Sequence, residues 1–233
     1  MRKMLIFYII KFREKGELKN QMNSNRKNKV IFLDWNGTLS DSFFWEHMRI
    51  SDDSEVLALY NLWDKALFNK PKKYIEDWMR GRFSTEKVLK EIASKTSTEY
   101  EKLLREFVKG CESMEFVSDE IPSLVEVLKG DGYCVVIATN NMDCFTRWTV
   151  PFMQLDKLFD EVLNSYNLKG LKHDIKKGES LFFKKFFEKY DFKPQECIFL
   201  DDSVDKGGYI ASLGIEYVQI KNSKDLLKRL KSL

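Results

Sequence analysis

With 233 residues, 43% of them hydrophobic and 14% aromatic, the chain has enough apolar material for one sizeable core, or a core with an inserted subdomain. Its 39 basic and 36 acidic residues leave a formal net charge of +3, which gives no electrostatic basis for a nucleic-acid partner or an anionic membrane. Four cysteines, none spaced C-x-x-C, and two histidines argue against zinc and fit a reducing, cytoplasmic compartment.

The first apolar stretch, Met4–Ile10, follows Arg2 and Lys3, but it is too short to span a bilayer and leads into Lys11, Phe12 and Arg13 without a small-residue cleavage site. Residues 1–28 therefore read as an extension outside the fold, with Met22 a possible alternative start. Val30–Leu33 is an apolar run that ends abruptly at Asp34, and Asn36-Gly37 follows as a turn pair tolerant of positive φ. This predicts a buried strand with an acid at its carboxyl end, the edge where open parallel sheets bind ligands.

The segment 43–117 has a different texture. Apolar residues recur at helical spacing over 53–68, and Pro71 opens a helix that stops at Gly81. Ser84 is placed to cap a third helix, and Thr96 with Glu99 has capping-box spacing for a fourth. From 119 onward helices and strands alternate. Asp119–Lys129 is helical; Tyr133–Ala138 is a strand leading to Thr139-Asn140-Asn141; Met142 to about Leu158 is a helix broken near Pro151. Phe159–Leu163 reads as a third strand, and Leu181–Tyr190 as a helix with a core-facing stripe of Phe182, Phe186 and Tyr190. Cys197–Leu200 is a strand running into Asp201-Asp202-Ser203, followed by a helix ending at Gly214, a strand at Glu216–Ile220 and a last helix at Asp225–Leu230. The alternation predicts an α/β fold with a doubly wound parallel sheet, built from residues 29–42 and 118–233, with 43–117 inserted as a helical domain.

Parallel strands bring Asp34, Thr139 and the Asp201-Asp202 pair to one rim. Carboxylates gathered there repel one another unless a cation joins them, and oxygen donors without histidine or thiolate suit magnesium. A hydroxyl and backbone N–H groups at Thr139 suit phosphate oxygens, and a lysine on the same rim would balance the remaining charge.

These features resemble the haloacid dehalogenase-like (HAD) superfamily, in its helical-capped, phosphoglycolate phosphatase-like branch. Asp34-Trp35-Asn36-Gly37-Thr38 is similar to its first motif D-x-D-G-T, Val135–Thr139 to the second, and Ile198–Ser203 to the acidic fourth. The third motif, a lysine, aligns on Lys177, with Lys172 and Lys176 as rivals. The resemblance implies a Rossmann-like core, a helical cap and a small phosphorylated substrate. Asp34 would be the nucleophile that forms an aspartyl-phosphate. Mg2+ would be held by Asp34, the backbone carbonyl of Asn36, Asp201 and Asp202. Thr139 and Lys177 would hold the phosphoryl group, with Trp35, Asn140 and Arg80 as further substrate contacts and Trp45, Trp78 and Arg82 as cap candidates. Asp205 reads as a helix-start acid. A monomer or homodimer is expected.

The departure from the pattern is Asn36, where phosphatases of the family carry an aspartate as general acid and base. A carboxamide exchanges no proton near neutral pH, and loss of such a group costs roughly 100- to 10,000-fold. The leading expectation is a magnesium-dependent phosphatase, slow on alkyl phosphates or acting on substrates with good leaving groups. The alternative is a catalytically weak or inactive protein of this fold that binds metal and phosphate. Dehalogenases carry an aromatic residue at position 36, so that branch is disfavoured.

Overall fold

The computed structural model describes residues 30–233, and the expected extension at residues 1–28 lies outside them. Five parallel strands form the central sheet in the order β3-β2-β1-β6-β7. These are β1 (Val30–Leu33), β2 (Cys134–Thr139), β3 (Glu161–Asn164), β6 (Cys197–Asp201) and β7 (Glu216–Gln219). β1, β2 and β6 are buried along their whole length, which is why they read as unbroken apolar runs rather than alternating ones. β1 is central, pairing Val30 to Leu33 with Cys134 to Ile137 on one side and with Cys197 to Leu200 on the other. The chain builds outward to β3 and then crosses back over β1 to β6, so the winding reverses next to β1. In such sheets ligands bind at the carboxyl edge beside this reversal.

Successive residues of the strands face opposite layers. Ile31, Leu33, Val135, Ile137, Ile198 and Leu200 belong to one apolar cluster, together with most of the inserted helices. Val30, Phe32, Val136, Ala138 and Phe199 belong to the other, with the aromatic residues near 182–187. The predicted phenylalanine stripe is core: the Phe32 ring lies 5.2 Å from Phe183 and 5.1 Å from Phe186.

The insertion between β1 and β2 holds five helices before the sheet-covering helix. They are α1 (Glu46–Arg49), α2 (Ser54–Phe68), α3 (Lys72–Met79), α4 (Thr85–Thr96) and α5 (Tyr100–Glu112), followed by α6 (Ile121–Gly130) against the sheet. Its entry and exit run side by side: Val117 N–H donates to Leu39 O at 2.9 Å and Glu115 N–H to Ser42 Oγ at 3.3 Å. Gly110 of α5 lets the entry chain pass, since a Cβ there would lie 1.7 Å from the Phe44 carbonyl oxygen.

Three local expectations are corrected. Neither Ser84 nor the Thr96–Glu99 pair forms a side-chain cap; the amide of Thr85, the first residue of α4, is bound instead by Asp143 from the core. The segment after β2 is not one helix broken at Pro151. It is a π-helical turn, Phe145–Thr149, running into Val150–Phe152 and interrupted at left-handed Gln154. Between β3 and α7 (Lys184–Tyr190) lies a small hairpin, β4 (Ile175–Lys176) with β5 (Glu179–Ser180), that the sequence does not announce. A final helix, α8 (Ser223–Lys231), covers the sheet beside α6. No helix among the described residues is long and apolar enough to cross a membrane.

Candidate active site

Asp34 leaves β1 at the carboxyl rim, its N–H donating to Leu200 O of β6 at 3.0 Å. This ladder bond carries the register past the strand and sets Asp34 beside Asp201, the last residue of β6. Asp34 Oδ1 accepts the Trp35 N–H at 2.8 Å and Asp201 Oδ1 accepts the Ser203 N–H at 2.8 Å, so both carboxylates are oriented by backbone donors. Asp202 is placed by a third bond, from its N–H to Thr38 Oγ at 2.9 Å. Asp34, Asp201 and Asp202 each offer an oxygen, all within 4.8 Å of one another.

The turn that closes this arrangement depends on Gly37. Its φ is +76°, and a Cβ there would lie 2.5 Å from Asp202 Oδ2. Glycine meets both the backbone and the space requirement.

A lysine does join the cluster, but it is Lys172. Its Nζ lies 2.9 Å from Asp34 Oδ2 and 2.6 Å from Asp201 Oδ2. Lys177, the position suggested by family spacing, occupies the tip of the β4–β5 hairpin and is exposed. Lys177 and Gly178 have φ values of +53° and +82°, the two positive dihedrals of a type I′ turn. Lys176 is exposed on the same hairpin. Lys172 is buried, and its backbone N–H donates to Asn140 Oδ1 at 2.9 Å. Asn140 thus positions the lysine from the loop after β2.

Burial pushes the Asp34 carboxyl up to about 6, aided by the nearby Asp201 charge, while Lys172 pulls the other way. Asp202 is also raised, by burial and then by Asp201. For Lys172 burial works against the ammonium, but attraction to Asp34 and Asp201 outweighs it and the group stays charged. The partners shift differently because Lys172 faces two carboxylates, whereas Asp34 faces one ammonium and a like charge. Three carboxylates against one ammonium leave two formal negative charges in a cluster of hard oxygen donors, with no histidine or cysteine among them. That donor set fits a magnesium ion, with Asp34, Asp201 and Asp202 as the side chains that would hold it.

The remaining predicted residues divide. Thr139 ends β2 on the same rim and is buried. Asn36 sits in the turn, its amide held at both ends: Oδ1 accepts from Asn141 Nδ2 at 3.0 Å, and Nδ2 donates to Ser42 O at 3.3 Å. Trp35 is fully buried, packed 5.6 Å from Phe116 and 5.2 Å from Phe145, so it belongs to the core rather than to a substrate surface. Arg80 is engaged by Asp174, through Nε and a terminal nitrogen at 2.7 and 2.9 Å, and by Glu76 at 3.0 Å. These ion pairs join α3 to the segment after Lys172 and leave a structural assignment for Arg80. Trp78 is buried and donates to Asp143 Oδ1 at 3.1 Å, whereas Arg82 is exposed and pairs with Asp77 at 3.2 Å. Asp205 caps the short helix Tyr209–Ser212 through the Ile210 and Ala211 amides, as expected of a helix-start acid.

Two residues that matter here escaped sequence reasoning. Asn141 ties the loop after β2 to Asn36, and its own N–H donates to Ser165 Oγ at 3.0 Å. Asp143 is buried and accepts from Thr85 N at 3.0 Å and Thr85 Oγ at 2.6 Å. Asp143 also pairs with Arg147 at 3.2 Å. The available signal was a cluster of short polar residues directly after an apolar strand.

The model of the haloacid dehalogenase-like hydrolases matches residues 28–208. The chain belongs to this family. Solved structures agree with its HAD fold. A predicted HAD-like hydrolase of Porphyromonas gingivalis aligns with TM-score 0.62 and 18% identity, covering 89% of this chain and 98% of that one. A HAD family enzyme of Bacteroides thetaiotaomicron, in complex with magnesium and inorganic phosphate, aligns with TM-score 0.58 and 17% identity, covering 83% and 94%. The L-2-haloacid dehalogenase of Xanthobacter autotrophicus, with chloropropionic acid covalently bound, aligns with TM-score 0.57 and 13% identity, covering 86% and 81%. A comparison with curated protein sequences gives no match. The HAD membership makes the chain a hydrolase by family, and the carboxylate rim lies where a parallel sheet of this winding places its ligands.

Proposed function

We propose that this HAD-like hydrolase is a magnesium-dependent phosphatase, hydrolysing a small phosphomonoester or acyl phosphate through an aspartyl-phosphate on Asp34. The observation that carries the reading is Lys172 Nζ seated between Asp34 and Asp201 at 2.9 and 2.6 Å, with Asp202 beside them. A nucleophilic carboxylate, a fixed ammonium and a divalent-cation donor set on one rim form the combination that phosphoryl transfer requires. The magnesium and inorganic phosphate in the complex of the Bacteroides thetaiotaomicron enzyme support the same reading. The four-cysteine chemistry supports a reducing, cytoplasmic setting, all four thiols being buried and unpaired.

Asp34, Asp201, Asp202 and the backbone carbonyl of Asn36 would hold the magnesium. When bound, the ion neutralises charge on the phosphoryl oxygens and on the nucleophile. Asp34 attacks phosphorus, and the bond from phosphorus to the leaving oxygen breaks. Lys172 and the Thr139 hydroxyl hold the equatorial oxygens, whose negative charge persists through the displacement. Water then attacks phosphorus, the bond to Asp34 breaks, and inorganic phosphate departs. Helices α1–α5 serve as a cap over this rim. Asn36 transfers no proton, because a carboxamide does not titrate near neutral pH, and its amide is held in place by Asn141 and the Ser42 carbonyl.

The test is magnesium-dependent phosphate release from acetyl phosphate and p-nitrophenyl phosphate. Activity should be lost in Asp34→Asn and Lys172→Ala and kept in Lys177→Ala. Activity that survives Asp34→Asn would overturn the reading. The doubly bonded Asn36 amide favours one rival, a metal- and phosphate-binding protein without turnover. It predicts no phosphate release by the wild type, yet magnesium-dependent thermal stabilisation by beryllofluoride.

A further inference from the structure

A cavity of about 770 Å³ opens between the insertion and the loops that follow β1 and β2. Its walls include Phe43, Trp45, Leu67 and Ile75 from the insertion, and Asp41 and Met142 from the core loops. The position of the cavity relative to Asn36 follows from hydrogen bonds. Asn36 is held by Asn141 and by the carbonyl of Ser42. Met142 is the chain neighbour of the first partner, and Asp41 and Phe43 flank the second. The cavity lining is therefore one residue along the chain from both groups that hold Asn36, the residue at the position where the resemblance puts a general acid.

One part of the wall is aromatic, and Glu46, Arg49, Lys70 and Lys72 line other parts with charge. Phe43 and Trp45 stack with centroids 5.8 Å apart and planes 17° from parallel, and Trp45 in turn lies 5.9 Å from Trp63. Trp63 is fully buried, whereas Phe43, the outermost ring, is 49% exposed. A large exposed aromatic ring backed by a rigid ladder offers a flat apolar surface to a ligand.

Resting on the phosphatase reading above, we infer that the substrate is an aryl phosphate, its ring seated against Phe43 and Trp45 while its phosphate meets Asp34 and Lys172. Two independent features converge on this class. The cavity supplies apolar and aromatic contact. Asn36 removes the acid that an alkoxide leaving group needs, and a phenolic oxygen needs it far less. Its conjugate acid has a pKa of about 10, as in tyrosine, far below that of water or an alcohol. In the first step the Asp34 oxygen bonds to phosphorus, the bond from phosphorus to the aryl oxygen breaks, and the electron pair leaves on the phenoxide, which takes its proton from solvent. In the second, water attacks phosphorus, the bond to Asp34 breaks, and the proton from that water passes to the released phosphate.

The experiment compares naphthyl phosphate, glycerol phosphate and acetyl phosphate as substrates, with magnesium, on the wild type, Phe43→Ala and Ile75→Asn. Binding of naphthylphosphonate and methylphosphonate is measured by calorimetry on the same proteins, with circular dichroism to confirm folding. The wild type should prefer naphthyl over glycerol phosphate by about 100-fold or more, the scale of a missing general acid. Phe43→Ala should lower the ratio of naphthyl to acetyl phosphate kcat/KM by about tenfold, the scale of one lost aromatic contact. Naphthylphosphonate should bind more tightly than methylphosphonate, and less so in both variants. Acetyl phosphate turnover without a naphthyl preference, or with a preference that neither variant lowers, overturns the aryl assignment and leaves the phosphatase reading standing. Naphthylphosphonate binding that the variants weaken, without turnover of any substrate, overturns the phosphatase reading and retains the aryl pocket. Failure of both overturns both.

Discussion

Lys172→Met isolates the charge at the centre of the site while keeping an unbranched stem of similar length. Lys172 is buried between two carboxylates at 2.6 and 2.9 Å, and a third acid completes the cluster. Removing the cation leaves those acids uncompensated, and breaking a buried pair from one side costs about 3–5 kcal/mol. For a domain of this size that corresponds to a fall in Tm of about 6–20 °C. The loss must depend on pH. Asp34 is raised from 3.8 to about 6 in the fold, so its contribution to stability is greatest below 3.8 and is lost as pH rises through 6. Without Lys172 the carboxyl is raised further, and that decline extends to higher pH. The gap between wild type and variant should therefore be smaller at pH 5, where Asp34 carries a proton in both and only the Asp201 pairing is lost, than at pH 7.5. Thermal melts at the two pH values, with and without magnesium, measure it. Magnesium should recover part of the loss at pH 7.5 by replacing the missing positive charge. A fall in Tm equal at both pH values, or matched by Lys177→Met, would refute the assignment of Lys172 as the counter-charge of the cluster.

Four other outcomes follow from the same geometry. Gly37→Ala forces a Cβ to within 2.5 Å of Asp202 Oδ2 at a φ of +76°, and should cost about 1–3 kcal/mol in chemical denaturation together with the thermal response to magnesium. Asn36→Asp should raise hydrolysis of glycerol phosphate by about 100-fold or more, read as phosphate release, and no gain would show that position 36 does not limit the reaction. Magnesium affinity, followed by calorimetry, should rise between pH 5 and 7 as Asp34 ionises near 6, and a flat profile would exclude Asp34 as a ligand. Asp143→Ala removes the acceptor for the Thr85 amide and hydroxyl and for the Trp78 indole, and should lower stability by about 2–4 kcal/mol in urea unfolding.

The parts legible in the sequence are those in which a local pattern and a tertiary demand coincide. A strand buried on both faces reads as an apolar run, so β1, β2 and β6 stand out, and the first polar residue that ends each run marks the rim. That reasoning found Asp34, Thr139 and the Asp201-Asp202 pair. Lys172 and Lys177 differ only through the two-residue strands β4 and β5, too short and polar to leave a periodic trace. Spacing could only propose a lysine in this stretch, and the type I′ turn at Lys177-Gly178 then carries the proposed one away from the rim. Trp35 and Arg80 failed for a related reason. A tryptophan beside a catalytic motif and an arginine at a helix end look available until Phe116 and Phe145 bury the first and Asp174 and Glu76 occupy the second. The cap expected at Ser84 is overruled by a long-range competitor, Asp143, fifty-eight positions beyond the amide it binds, and the helix that starts at Tyr100 has no side-chain cap.

The loop after β2 explains how the inserted helices and the rim share one geometry. Four consecutive residues there reach separate elements. Asn140 holds the backbone of Lys172, Asn141 holds the Asn36 amide and the Ser165 hydroxyl, Met142 O accepts from Asn164 Nδ2 at 2.8 Å, and Asp143 binds α4 and Trp78. Ser165 Oγ lies 2.8 Å from Met79 O at the end of α3, which adds a second tie to the insertion. A displacement of α3 or α4 must therefore strain bonds made by the loop that also orients Lys172 and carries Thr139 at its root. Buried polar groups tolerate no such loss cheaply, since each abandoned donor or acceptor costs about 1–3 kcal/mol. The insertion can shift only as far as the loop follows, so the position of the inserted helices and the geometry of the carboxylate rim are one coupled variable.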